Sequence, residues 1–85
     1  MAKAKAKAQH RPKPSHKALG AAIKQLREDQ GLLQADLAEK TGLHASYVSD
    51  IERGKRNPTW TVLSQFAKAF GIKLSELVQQ AEQQK

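Results

Sequence analysis

The run HASYVSDIERGKRN, residues 44–57, brings together side chains suited to two kinds of chemistry. Ala45, Ser46, Ser49 and Asp50 fall at helical spacing and are all short, so one face of a helix would lack bulk and offer hydroxyl and carboxylate groups for hydrogen bonding. Directly after them, Arg53, Lys55, Arg56 and Asn57 surround Gly54, a concentration of donors suited to an anion. Catalysis finds no comparable grouping. His10 and His16 lie near the N-terminus and His44 stands alone, so no metal-ligand spacing arises. Ser46 follows His44 by two residues, with no third group to orient the pair, and no glycine-rich phosphate loop occurs. Neither enzymatic activity, nor a metal, nor a cofactor is expected.

Charge points the same way. The 85-residue chain has a formal net charge of +7 and a pI near 10.0, a positive field that favours polyanionic partners. Lys3, Lys5, Lys7, Arg11, Lys13 and Lys17 put six basic residues and no acidic one in the first 17; nine basic and eight acidic residues follow, leaving +1. Residues 1–16 include Pro12 and Pro14 and no apolar side chain larger than Ala after Met1, which predicts a disordered basic arm. A solubilising tail is the plainer reading of that arm. The absence of Cys removes disulfides and thiolate metal sites and fits a reducing compartment. No apolar run approaches the roughly 20 residues that cross a bilayer, and no secretory signal follows the basic start. A cytoplasmic protein without a membrane role is expected.

Five helices must position these groups. Leu19, Ile23 and Leu26 mark a first helix from about Lys17 to Gln30, closed by Gly31. Leu37 and Ala38 mark a second over Gln34–Thr41, stopped by Gly42. Val48 and Ile51 face inward on a third from Ala45 to Arg53, closed by Gly54. Pro58 and a Thr59 N-cap introduce a fourth, whose stripe of Trp60, Leu63, Phe66, Ala67 and Phe70 is expected to be core. A fifth, from about Leu74 to Gln83, has Leu74, Leu77, Val78 and Ala81 apolar. No alternating stretch suggests a strand. The expectation is an all-α domain over residues 17–83 behind the arm of residues 1–16.

Only Gly42, Leu43 and His44 separate the second and third helices. Such a connection turns two helices through roughly 90 to 120 degrees, a helix-turn-helix. The major groove of B-DNA, about 12 Å wide, admits the second helix, and short side chains permit close approach to base edges. Double-stranded DNA is the partner that this arrangement implies.

The run LREDQGLLQADLAEKTGLHASYVSDIERGKRNPTWTVLSQFAKAFGIKLSELV, residues 26–78, resembles the phage lambda repressor and Cro-type helix-turn-helix family, also called the xenobiotic response element family. The resemblance implies a compact five-helix domain of the lambda-repressor-like type. It implies that Gln34 meets a DNA phosphate at the start of the second helix. Ala45, Ser46, Ser49 and Asp50 would read bases, with His44 beside them in the contact surface and Tyr47 against the sugar-phosphate backbone. Arg53, Lys55, Arg56 and Asn57 would grip phosphate, and Arg27 with Glu52 would form an ion pair tying the first helix to the end of the third. Plainer readings stand beside these: Gln34, Ser46 and Ser49 as solvated surface, Tyr47 packed on the domain edge, and Arg53, Lys55 and Arg56 as a solvated charge run.

The chain departs from the family in placing Leu33, His44 and Lys73 where relatives commonly have Ser or Thr N-caps. Each loss costs on the order of 1 kcal/mol, which predicts either a modestly stable domain or helices that start one or two residues later, with Ser75 capping a shorter fifth helix. Asp50 would repel phosphate unless it accepts from a cytosine N4, or it would select against other bases. The implied function is a sequence-specific transcriptional regulator, a bacterial or phage-encoded, nucleoid-associated repressor. It would act as a homodimer on a palindromic operator, pairing through the apolar surface of the fifth helix. The alternatives are an antitoxin-type or controller protein that also binds a partner protein, and an architectural DNA-coating protein.

Overall fold

Ser15 lies in extended backbone, and its hydroxyl accepts from the Ala18 amide at 3.0 Å. This side-chain cap opens helix α1 (His16–Asp29) in the computed structural model, which describes residues 14–84. The helix starts one residue before the expected Lys17 because Ser15 supplies the cap. Of the arm expected over residues 1–16, residues 1–13 lie outside the described residues, while Ser15 and His16 belong to the helix start. Four more helices follow: α2 (Gln34–Thr41), α3 (Ala45–Glu52), α4 (Trp60–Phe70) and α5 (Leu74–Glu82). Helices α1, α3 and α5 each end one residue before the expected boundary, and no strand occurs among the described residues.

Helix α1 packs against α3 and α5, and α2 against α3 and α4, around one core. Ile23, Leu37, Val48, Ile51, Phe66 and Leu77 are its largest fully buried side chains. Phe66 and Phe70 stack across one turn of α4 with ring centroids 6.5 Å apart. Gly20 sets the α1–α3 distance. A Cβ there would overlap the Ile51 carbonyl oxygen and lie 3.0 Å from that of Glu52, so only glycine lets α1 approach the end of α3 this closely.

Two expectations fail. Trp60 is not core: it is 67% exposed, whereas Phe66 and Phe70 on the same helix are buried. Its spacing places it on the apolar side of α4, but as the first residue of the helix it lies at the edge of the core. There it borders an open groove with Leu74, Ser75 and Val78 of α5. The fifth helix is not shortened either, since α5 begins at Leu74 and Ser75 lies inside it. Lys73 and Leu33 occupy N-cap positions with no acceptor of their own, yet Glu76 accepts from the Lys73 amide and Asp36 from the Leu33 amide, each at 2.8 Å. These carboxylates, three residues inside each helix, satisfy one amide and favour the positive end of the helix dipole. The apolar side of α5 is largely consumed by the core: Leu77 and Ala81 are buried, while Leu74 and Val78 are half-buried.

Candidate nucleic-acid interface

Helix α3 is turned outward by what it buries. Val48 and Ile51 have no exposed surface, so the opposite side presents Ala45 and Ser46 as exposed residues and Ser49 and Asp50 as half-buried ones. The turn before it holds this orientation. Gly42 has a φ of 76°, a left-handed conformation that side-chain-bearing residues rarely adopt, and the Gly42 and Leu43 amides both donate to the Ala38 carbonyl, at 2.8 and 3.1 Å. His44 follows as the exposed N-cap of α3, without a side-chain capping bond.

Behind the exposed face, a buried polar knot anchors both ends of the α2–α3 unit. Arg27 of α1 donates from Nε to Glu52 Oε2 at 2.7 Å and from Nη2 to Glu52 Oε1 at 3.1 Å, a two-pronged contact between side chains that are both nearly inaccessible. Its Nη1 donates to the Leu32 carbonyl at 2.7 Å, fixing the approach to α2. The hydrogen bond to Glu52, opposed by burial and aided by the charges of Glu52 and Glu28, raises the Arg27 pKa above its ordinary value, so the guanidinium stays charged. Gln34, for which the family resemblance implies a phosphate contact, is turned inward here: its Nε2 donates to Glu52 Oε1 at 2.9 Å. The amide nitrogen carries a second N–H, which the bond to Glu52 leaves available to a phosphate.

The loop after α3 gathers the expected basic residues. Arg53 caps the helix, and Arg53, Lys55, Arg56 and Asn57 are all exposed. Asp50 faces two of them, with Oδ1 3.3 Å from Arg53 Nη2 and Oδ2 3.6 Å from Arg56 Nε. Arg56 also lies over the half-buried Tyr47 ring, its Cζ 5.3 Å from the centroid. The structure adds Lys17, which the sequence placed at the end of the first basic cluster. Gly54, at φ 74°, approaches so closely that a Cβ there would lie 3.0 Å from Lys17 Cγ, bringing the start of α1 against the loop. Nothing local in the sequence joins positions 37 residues apart.

The described residues contain no group of three or more His, Asp or Glu side chains able to hold a metal, and none of their helices is long and apolar enough to cross a membrane. The arrangement presents a face of small polar groups bordered by cations, suited to hydrogen bonding with a ligand that is itself polyanionic.

The family model HTH_3, helix-turn-helix, matches residues 23–77. The immunity repressor protein of Bacillus phage phi105 is 43% identical over 60 residues, which cover 71% of this chain but only 42% of the repressor; the chain spans less than half of that relative. Among solved structures, the restriction-modification controller protein C.AhdI of Aeromonas hydrophila is 37% identical with a TM-score of 0.71, over 73% of this chain and 94% of the controller. The master regulator for biofilm formation SinR, solved in complex with DNA, is 34% identical with a TM-score of 0.66, over 71% of this chain and 97% of that one.

Proposed function

This chain belongs to the helix-turn-helix family, and from that premise we propose that it is a sequence-specific double-stranded DNA-binding transcriptional regulator. In this reading it is a repressor that acts by occupying its operator. The observation that carries the reading is the outward face of α3: Ala45, Ser46 and Ser49 leave it free of bulk, and Arg53, Lys55 and Arg56 stand where α3 ends. Such a helix enters the major groove with short side chains against base edges, while the cations engage phosphates and supply affinity without sequence preference. His44 and Tyr47 border the same face, Asn57 continues the phosphate-facing loop, and Gln34 joins it through the second N–H of the amide that holds Glu52. No enzymatic step and no cofactor belong to this function.

One recognition helix reads few base pairs, so a homodimer on a palindromic site is the natural arrangement. The surface proposed for pairing is formed by Trp60, Leu74 and Val78, apolar groups that the core leaves at least partly accessible side by side along one groove. The likeness to a restriction-modification controller protein favours one second reading, a controller protein that binds both a partner protein and its own promoter. Both readings place the protein at the DNA of a bacterium or phage, in the cytoplasm. Selection of bound duplexes from random sequence, followed by titration of the chosen site against a scrambled one, is the test. A preference of about a thousandfold or more supports the proposal, and equal affinity for both defeats it in favour of an architectural coating role.

A further inference from the structure

The basic loop after α3 carries its own counter-ion. Asp50, on the outer face of α3, sets one carboxylate oxygen 3.3 Å from Arg53 Nη2 and the other 3.6 Å from Arg56 Nε. Stacking over Tyr47 keeps Arg56 within reach of it. The Arg53 and Arg56 side chains remain 59% and 57% exposed, so these pairs are weak and a phosphate can displace the carboxylate easily. What opposes binding is the carboxylate left behind. With its arginines transferred to DNA, it stands unpartnered among phosphates of like charge. One kind of base edge relieves it: an exocyclic amino group in the major groove, cytosine N4 above all, donates to an acidic side chain.

We propose that Asp50 is a specificity-determining counter-ion, which holds Arg53 and Arg56 in the free protein and yields them fully to phosphates only where a base amino group takes their place. The inference rests on the DNA-binding reading above and adds a mechanism to it. Charge alone would make Arg53, Lys55 and Arg56 bind any duplex. Asp50 withholds part of that attraction from sequences that cannot satisfy its carboxylate, so the same two arginines contribute more on the preferred site than elsewhere.

Asp50→Asn keeps the side-chain shape and removes the charge. Dissociation constants for the parent and the variant are measured by fluorescence anisotropy on a site selected from random DNA and on a scrambled duplex, between about 50 and 200 mM salt. The variant is expected to bind the scrambled duplex more tightly, and its specific-to-non-specific ratio to fall about fivefold to a hundredfold, the range of one base contact. Its salt slope on scrambled DNA should steepen by about 0.9 for each phosphate newly engaged. Arg56→Gln should then weaken scrambled binding more in the Asp50→Asn background than in the parent, because the arginine there has no competing carboxylate. An unchanged ratio, or equal losses on both duplexes, overturns the proposal. If melting shows that Asp50→Asn is unfolded, Asp50→Ser is read by the same criteria. A parent that binds both duplexes equally defeats the sequence-specific reading itself, whereas a parent and an Asp50→Asn variant that discriminate alike defeat only the role of Asp50.

Discussion

Replacing Arg27 by Met should destabilise the domain severely without redirecting its sequence preference. The Glu52 side chain is 2% exposed and receives two hydrogen bonds from Arg27, so the substitution strands a carboxylate away from water. Breaking a buried pair in this way costs about 3 to 5 kcal/mol. Gln34 Nε2 still donates to Glu52 Oε1, which favours the lower end of that range, while the Leu32 carbonyl loses its donor as well. Against a total stability of about 4 to 11 kcal/mol for the 71 residues from 14 to 84, a loss of about 3 is a large fraction. At about 4 to 8 °C per kcal/mol for a domain of this size, the thermal midpoint should fall by at least about 12 °C, as followed by far-UV circular dichroism. Adding Glu52→Leu to Arg27→Met should restore at least half of the loss, because an apolar replacement of both partners removes the stranded charge. A midpoint within about 4 °C of the parent for the single variant, or a double variant less stable than the single one, would refute the account of this knot.

Four further outcomes follow from other parts of the fold. Gly20→Ala should cost about 1 to 3 kcal/mol, read from denaturant melts, since its methyl group overlaps the Ile51 carbonyl and forces α1 away from α3; a neutral result would mean that the helices separate freely. Lys55→Ala should weaken binding to all duplexes alike and lower the salt slope by about 0.9, and an unchanged slope would remove Lys55 from the phosphate contacts. Trp60→Glu should raise the dimer dissociation constant at least about tenfold in sedimentation equilibrium while sparing the core, as the side chain is 67% exposed; a parent that stays monomeric with its operator would end the dimer proposal. Deleting residues 2–13 removes Lys3, Lys5, Lys7, Arg11 and Lys13 but leaves the Ser15 cap, and should lower affinity for every duplex by a similar factor; equal affinity at low salt would make the segment a solubility tail.

Much of the fold was legible because its signals are local. Gly31, Gly42 and Gly54 lie just past the ends of α1, α2 and α3, Gly71 caps α4 at its C-terminus, Thr59 caps the start of α4 through its hydroxyl, and the inward pair Val48 and Ile51 leaves the small residues of α3 outside. What escaped depends on where an element ends in space. Periodicity assigns Trp60 to a side of α4 but cannot say that the core stops short of the first turn. A cap missing at Lys73 was visible, whereas its replacement by the Glu76 carboxylate needed backbone geometry to be seen. The Arg27–Glu52 pair spans 25 residues and came into view only through resemblance to a family. The path of the chain after Gly54, which returns Arg56 to both Asp50 and Tyr47, has no signature in the order of residues. Gly20 gave no warning either, because a glycine within a helical stretch reads as a weakness until the neighbouring backbone is placed against it.

The claim that the outer face of α3 reads base sequence is tested most directly by Ser46→Ala, a change of one exposed hydroxyl that touches neither the core nor the cations. Affinities of the parent and this variant are compared on the site selected from random DNA and on its scrambled counterpart. The account predicts a loss of about 1 to 3 kcal/mol on the selected site and far less on the scrambled one. Equal losses on both duplexes, or none on either, would contradict it.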